Sequence, residues 1–128
     1  ALQEKYPLQC IGHHYKQRTH SSYGNSPWLK EAHPQQVWIN DLDAAQRGIE
    51  NCDSVVVFND RGQIKLPAYV TPRIMPGVAS VPQGAWYSPD KPGGLDVGGS
   101  VNTLTSMKTT SYAKANGVHS ALVEIRKA

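Results

Sequence analysis

Ser54-Val55-Val56-Val57-Phe58-Asn59-Asp60-Arg61-Gly62-Gln63-Ile64-Lys65-Leu66 is the stretch that decides the architecture. Its first half is an unbroken run of β-branched and apolar side chains, which suits a strand buried on both faces. Asp60-Arg61-Gly62 then supplies turn chemistry, because glycine tolerates the backbone a tight hairpin needs. The run from Gln63 to Val70 alternates less cleanly, and Pro67 within it predicts an edge or a bulge, since proline gives no ladder donor.

Working outward, Val37-Trp38-Ile39 reads as a strand rich in β-branched and aromatic residues. Asn40 or Asp41 caps a short helix through Arg47 by accepting an orphan backbone N–H, and Gly48 stops it. Residues 6–11 form an early strand, 78–81 a later one, and 121–126 an alternating strand that closes the chain. Val101 to Thr105 is expected to be extended. Trp28 to Glu31 forms one helical turn that ends before Pro34. Two long loops remain. One runs from Gly12 to Pro27 and is rich in His, Lys, Arg and Ser; the other runs from Gly84 to Ser100 and carries Trp86 and Tyr87. Loops of that length without structure of their own are commonly functional or disordered. Roughly six or seven short strands with short helices and long loops predict a mainly β fold closed into a barrel, because closure removes exposed sheet edges.

The chain has 128 residues, enough for one domain with one modest core. With 39% hydrophobic and 18% charged residues it is not compositionally a disordered tail. No apolar run approaches the length of a membrane span. The formal net charge of +3 is scattered except for Lys16, Arg18 and His20 near the start; it fits an anionic small ligand at least as well as nucleic acid, and no long Lys/Arg run suggests a phosphate-backbone track. Cys10 and Cys52 are the only cysteines, and two buried free thiols are expected. No nucleophile elbow and no phosphate-cradling Walker loop is present.

Four segments, in order, carry a resemblance: His13-His14-Tyr15-Lys16-Gln17-Arg18-Thr19-His20-Ser21; Val37 to Ala44 with Arg47-Gly48-Ile49, Asp53, Val55 and Asn59-Asp60-Arg61-Gly62; Gly84-Ala85-Trp86-Tyr87-Ser88-Pro89; and Gly99 to Thr105. Together they resemble the C-terminal molybdopterin dinucleotide-binding domain of the dimethyl sulfoxide reductase superfamily, with most likeness to the catalytic subunits of its membrane-anchored branch. The resemblance implies a double-psi β-barrel over residues 1–128, excised from a larger catalytic subunit. It implies a molybdenum bis(molybdopterin guanine dinucleotide) cofactor completed by upstream domains. The intact enzyme would reduce S-oxides or N-oxides by oxygen-atom transfer in anaerobic respiration, and this domain alone would not be catalytic. The implied partners are those upstream domains, an iron–sulfur electron-transfer subunit and a membrane anchor subunit, with no nucleic acid and no direct membrane insertion. The implied location is the periplasmic side of the bacterial inner membrane.

The same resemblance singles out cofactor-binding residues. Gly12, His13, His14, Arg18, Thr19, His20 and Ser21 would face the pterins, where Arg, His and hydroxyl groups supply hydrogen bonds to a polar heterocycle. Trp86 would pack over a pterin or line the substrate funnel, or else anchor its own loop. Asn102 would contact the cofactor. Lys114 sits near an amide position used in some reductases. His119 stands where other branches place a lysine, so its charge would depend on pH. Asn40, Asp41 and Asp43 either meet a guanine edge or cap the 41–47 helix, and capping is the simpler use. Cys52 departs from the glycine common before Asp53, so its backbone either avoids positive φ or accepts strain. Cys10, His13, His14 and His20 are close in sequence, but the second ligand pair of a structural zinc site is missing.

Two rival classes stand beside this expectation. One is a free-standing double-psi barrel that binds a small ligand or a protein. The other is a loop protein that binds metal or nucleic acid.

Overall fold

Six strands close into a barrel in a computed structural model that describes residues 1–128. They are β1 (Leu8–His13), β2 (Val37–Ile39), β3 (Ser54–Phe58), β4 (Gln63–Val70), β5 (Val78–Pro82) and β6 (Ala121–Lys127). Three short helices accompany them: α1 (Leu2–Lys5), α2 (Pro27–Ala32) and α3 (Asp41–Gln46). The order around the barrel is β1-β5-β2-β4-β3-β6. The β1–β5 and β2–β4 pairs are parallel, and the other four are antiparallel.

Alternate residues point inward, as the period of two requires. Leu8, Cys10, Val37, Ile39, Val55, Val57, Ile64, Leu66, Ala79, Val81, Val123 and Ile125 form the core. Each large aliphatic side chain there contributes about 1.5–3 kcal/mol by leaving water. Val56 is buried as well, so the 54–58 run is covered on both faces, as its unbroken apolar character implied.

Pro67 is neither at an open edge nor in a bulge. It pairs with Ser54 of β3, while the β2 ladder on the other side of β4 begins only at Ala68. Before it, Lys65 N–H donates to the Asp96 carbonyl. The proline therefore occupies the gap where β4 changes neighbours, and no donor is missed there. A second departure concerns residues 101–105. Val101–Thr103 is a 3₁₀ turn, and it drives Val101 and Leu104 into the core. Burial of two apolar side chains three positions apart requires a helical turn, which an extended segment cannot provide.

Strand directions sort the loops. β1, β3 and β5 run one way, and β2, β4 and β6 the other. Residues 14–36, 59–62 and 83–120 therefore all emerge at one barrel end, and residues 40–53 and 71–77 at the other. At that second end Asn40 Oδ1 accepts from Leu42 N–H at 2.8 Å, and Asn40 Nδ2 donates to the Ile74 carbonyl. Asp43 accepts from Gly77 N–H, and Asp41 from Leu42 N–H. These three residues cap and tie the α3 region, far along the barrel from the long loops. Cys52, in the same end loop, has φ +70, so the backbone accepts strain there rather than avoiding positive φ.

Candidate functional site at the loop-bearing end of the barrel

Strand β1 runs two residues further than the sequence suggests and ends by delivering Gly12 and His13 to this end. His13 Nδ1 lies 2.6 Å from Ser80 Oγ, and its ring packs on Tyr15 and Trp38 at 5.3 and 5.1 Å between centroids. Burial pushes its pKa below the ordinary value, and the positive charges of Arg18 and His14 push the same way, so the ring is neutral at pH 7. The other ring nitrogen, Nε2, is buried and has no partner.

Arg18 folds back over the Tyr15 ring. Its Nη2 donates to Gln35 Oε1 at 2.9 Å and to the Gln83 carbonyl. Gln35 Nε2 in turn donates to the carbonyls of Pro82 and Gly99 at 2.7 and 3.0 Å. One glutamine thus links the first long loop, the end of β5 and the second long loop. Arg18 Nε and Gln17 Nε2 are buried without partners, like His13 Nε2. Burial lowers the Arg18 pKa and raises that of Tyr15.

The two long loops are held to each other. The Trp86 indole donates to the Ser21 carbonyl at 2.9 Å. Gly84, at φ +89, lies so close to the other loop that a Cβ would sit 1.7 Å from the His20 carbonyl oxygen. Asp96 is fully buried and accepts from the N–H groups of Ser88, Gly98 and Ser100 and from Thr103 Oγ1. It plays the part of a ligand around which the second loop is wound.

His119 also comes to this end. Its Nδ1 accepts from Gly12 N–H at 3.3 Å, and its carbonyl from Gln9 Nε2. His14 and His20 stack edge to face at 4.7 Å. Of the sequence-derived residues, Gly12, His13, His14, Arg18, His20, Ser21, Trp86 and His119 are joined through these contacts. Thr19 is exposed on the same loop. Asn102 is exposed in the 3₁₀ turn, at the same barrel end but with its side chain making no hydrogen bond to the first loop. Lys114 is exposed on the 106–118 segment at φ +52.

Between the loops lies a cavity of about 570 Å³. Gln17, Arg18, Lys30, His33, Trp86 and Tyr87 are among its walls, and no Asp or Glu lines it. The arrangement suits a flat, polar, anionic guest, with cations and amide donors within and aromatic rings at the rim. Gln17, Gln35, Gln83 and Asp96 carry much of this site, and no signal in the sequence marks them. Glutamines in loops have no periodic or motif signal, and Asp96 sits among turn residues that look alike.

The cysteines are separate. Cys10 is in the barrel core, where burial pushes its thiol up to about 12, whereas Cys52 is exposed. The expectation of two buried thiols is thus corrected, because the strained 48–53 turn stands out from the barrel. With Cys10 pointing inward, Cys10, His13, His14 and His20 make no cluster of three metal-ligating side chains.

The family model for the molydopterin dinucleotide binding domain matches residues 8–122. The chain belongs to this family. The molydopterin dinucleotide binding domain described here is 50% identical, over 126 residues, to dimethyl sulfoxide reductase DmsA of Haemophilus influenzae, covering 98% of this chain and 16% of that protein. It is 55% identical over 123 residues to the putative dimethyl sulfoxide reductase chain YnfE of Escherichia coli, covering 95% and 15%. With trimethylamine-N-oxide reductase 1 of Escherichia coli it shares 44% identity over 132 residues, covering 97% and 16%. The chain thus spans about one sixth of the length of these relatives. Acetylene hydratase from Pelobacter acetylenicus has the same fold, with a TM-score of 0.83 at 17% identity, over 99% of this chain and 19% of that one.

Proposed function

We propose that the loop-bearing end of this barrel caps a molybdenum bis(molybdopterin guanine dinucleotide) cofactor in the catalytic subunit of an S-oxide or N-oxide reductase, and that residues 1–128 are one domain of that subunit. The observation that carries this is the set of buried atoms without partners. His13 Nε2, Gln17 Nε2 and Arg18 Nε all belong to one short stretch, and all lie at the end where the loops gather. An unpaired buried polar group costs about 1–3 kcal/mol, so three together mark a surface completed by something else. A pterin edge, with carbonyl, ring-nitrogen and amino groups, offers partners for such a set. The residues present therefore fit the group.

When bound, the molybdenum centre supplies the oxygen-atom transfer chemistry. Arg18 and Gln17 donate to its organic framework, and Gln35 and the Gln83 carbonyl hold the guanidinium for that task. His13 stays neutral, so it offers an uncharged ring nitrogen rather than a competing cation. Thr19, His20, Ser21 and Trp86 wall off solvent, while Asn102, Lys114 and His119 extend the polar rim. This domain contributes binding groups, and the oxygen-atom transfer belongs to the intact subunit with its cofactor. The two parallel pairs, β1–β5 and β2–β4, within a closed six-stranded barrel support a double-psi topology. Further assignments rest on the family resemblance of the sequence alone: an iron–sulfur electron-transfer subunit, a membrane anchor subunit, a role in anaerobic respiration and a periplasmic location. No helix of this chain is long and apolar enough to cross a membrane.

The test is cofactor retention in the whole catalytic subunit. Molybdenum and guanylate are measured per polypeptide in Gln17→Ala, Arg18→Ala and Gln35→Ala variants. The expected result is a fall of about tenfold in retained cofactor for Arg18→Ala, corresponding to the loss of one or two charge-assisted bonds. Full retention in all three variants contradicts the proposal.

A further inference from the structure

We propose that α2 and the outer rim of the cavity dock an acid-bearing segment of polypeptide from elsewhere in the same catalytic subunit. The inference rests on the reading of residues 1–128 as one domain of that subunit. Helix α2 buries none of its residues. A six-residue helix has too few internal hydrogen bonds to hold itself in water, so it calls for a partner surface. Trp28 on α2 is 82% exposed, and Tyr23, Trp86 and Tyr87, which line the cavity together with Leu29 and Lys30 of that helix, are each more than half exposed. Large aromatics gathered at one rim are the composition of an interface core, not of a solvated loop.

Charge narrows the occupant. Arg18, Lys30 and His33 line the cavity without any acidic neighbour in its walls, and Lys30 makes no ion pair within the chain. Arg18 faces the inner wall beside Gln17 and Gln35, whereas Lys30 and His33 belong to the α2 side. A segment that places an Asp or Glu on Lys30, with apolar side chains against Leu29, Trp28 and Trp86, complements both features. Length supplies the occupant, since relatives carry about five-sixths of their chain outside the matching region.

The test compares hydrogen exchange over residues 29–33 in the whole catalytic subunit and in its Lys30→Glu variant, each with and without its cofactor. The helix amides involved are those of Lys30, bonded to the Ser26 carbonyl, and His33, bonded to the Leu29 carbonyl. The expected result is exchange slower by about tenfold or more in the unsubstituted subunit than in the variant, whether or not cofactor is present. Zero-length carbodiimide coupling should then join Lys30 to an Asp or Glu outside residues 1–128, and Lys30→Arg should abolish that link. Equal exchange in the two preparations overturns the inference. Protection that appears only with cofactor also overturns it, since a ligand then fills the rim. Links confined to residues 1–128, within one copy or between two, overturn it as well. Cofactor content is scored separately: protection without any retained cofactor leaves the docking surface standing while the cofactor proposal fails.

Discussion

The indole N–H of Trp86 donates to the carbonyl of Ser21 at 2.9 Å, which fastens the second long loop to the first. Trp86 remains 56% exposed, so this single bond is partly shared with water. Trp86→Phe should therefore cost only about 0.5–1 kcal/mol in a urea titration. Gly84→Ala, which places a Cβ 1.7 Å from the His20 carbonyl at φ +89, should cost more, about 2–4 kcal/mol. The reverse ranking would show that the loops are not packed on each other as described.

Asp96 gathers three backbone N–H groups and one hydroxyl around a fully buried carboxylate. Asp96→Asn keeps the shape but turns one acceptor into a donor facing other donors. A loss of about 2–4 kcal/mol is expected, together with faster proteolysis between residues 88 and 100. An unchanged unfolding midpoint would remove Asp96 from its organising role.

Cys52 holds φ +70 where a side chain is strained. Cys52→Gly should stabilise the chain by about 0.5–1 kcal/mol, the strain released less the extra entropy of glycine in the unfolded state. The urea midpoint checks the sign.

Thiol labelling separates the two cysteines. Cys52 is exposed and Cys10 is buried with its pKa raised to about 12. A thiol reagent at neutral pH should modify Cys52 in the folded chain and reach Cys10 only on unfolding. Simultaneous reaction of both would contradict the burial of Cys10.

His13 gives the pH dependence. Its folded pKa lies below the ordinary 6.5 because of burial first and then the charges of Arg18 and His14. Between that lowered value and 6.5, the unfolded chain binds a proton that the folded chain refuses. Stability is therefore fully present above 6.5 and is lost as pH falls below it. Unfolding midpoints measured downward from pH 6.5 should decline, and His13→Gln should flatten that decline.

The parts of the fold legible in the sequence are those governed by local physics. The 54–58 strand, the turn before Gln63, the Asn40 cap and the glycine stop at Gly48 all follow from side chains acting on their own backbone. Pro67 and the 101–103 turn depart from the sequence expectation because their explanation is tertiary: a change of neighbouring strand in one case, burial of Val101 and Leu104 in the core in the other. The site divides in the same way. The first long loop stood out for its His, Arg and hydroxyl content, but Gln17 and Gln35 acquire meaning only when folding brings Arg18, Pro82 and Gly99 to them. The resemblance pointed to Asn102, yet nothing in its own contacts singles it out.

A crystal structure of the whole catalytic subunit with its cofactor bound tests the central claim most directly, by showing what occupies the space beside His13, Gln17 and Arg18. We expect pterin atoms within about 3 Å of Gln17 Nε2 and Arg18 Nε. A cofactor seated at the α3 end of the barrel, or protein side chains alone filling that space, would contradict it.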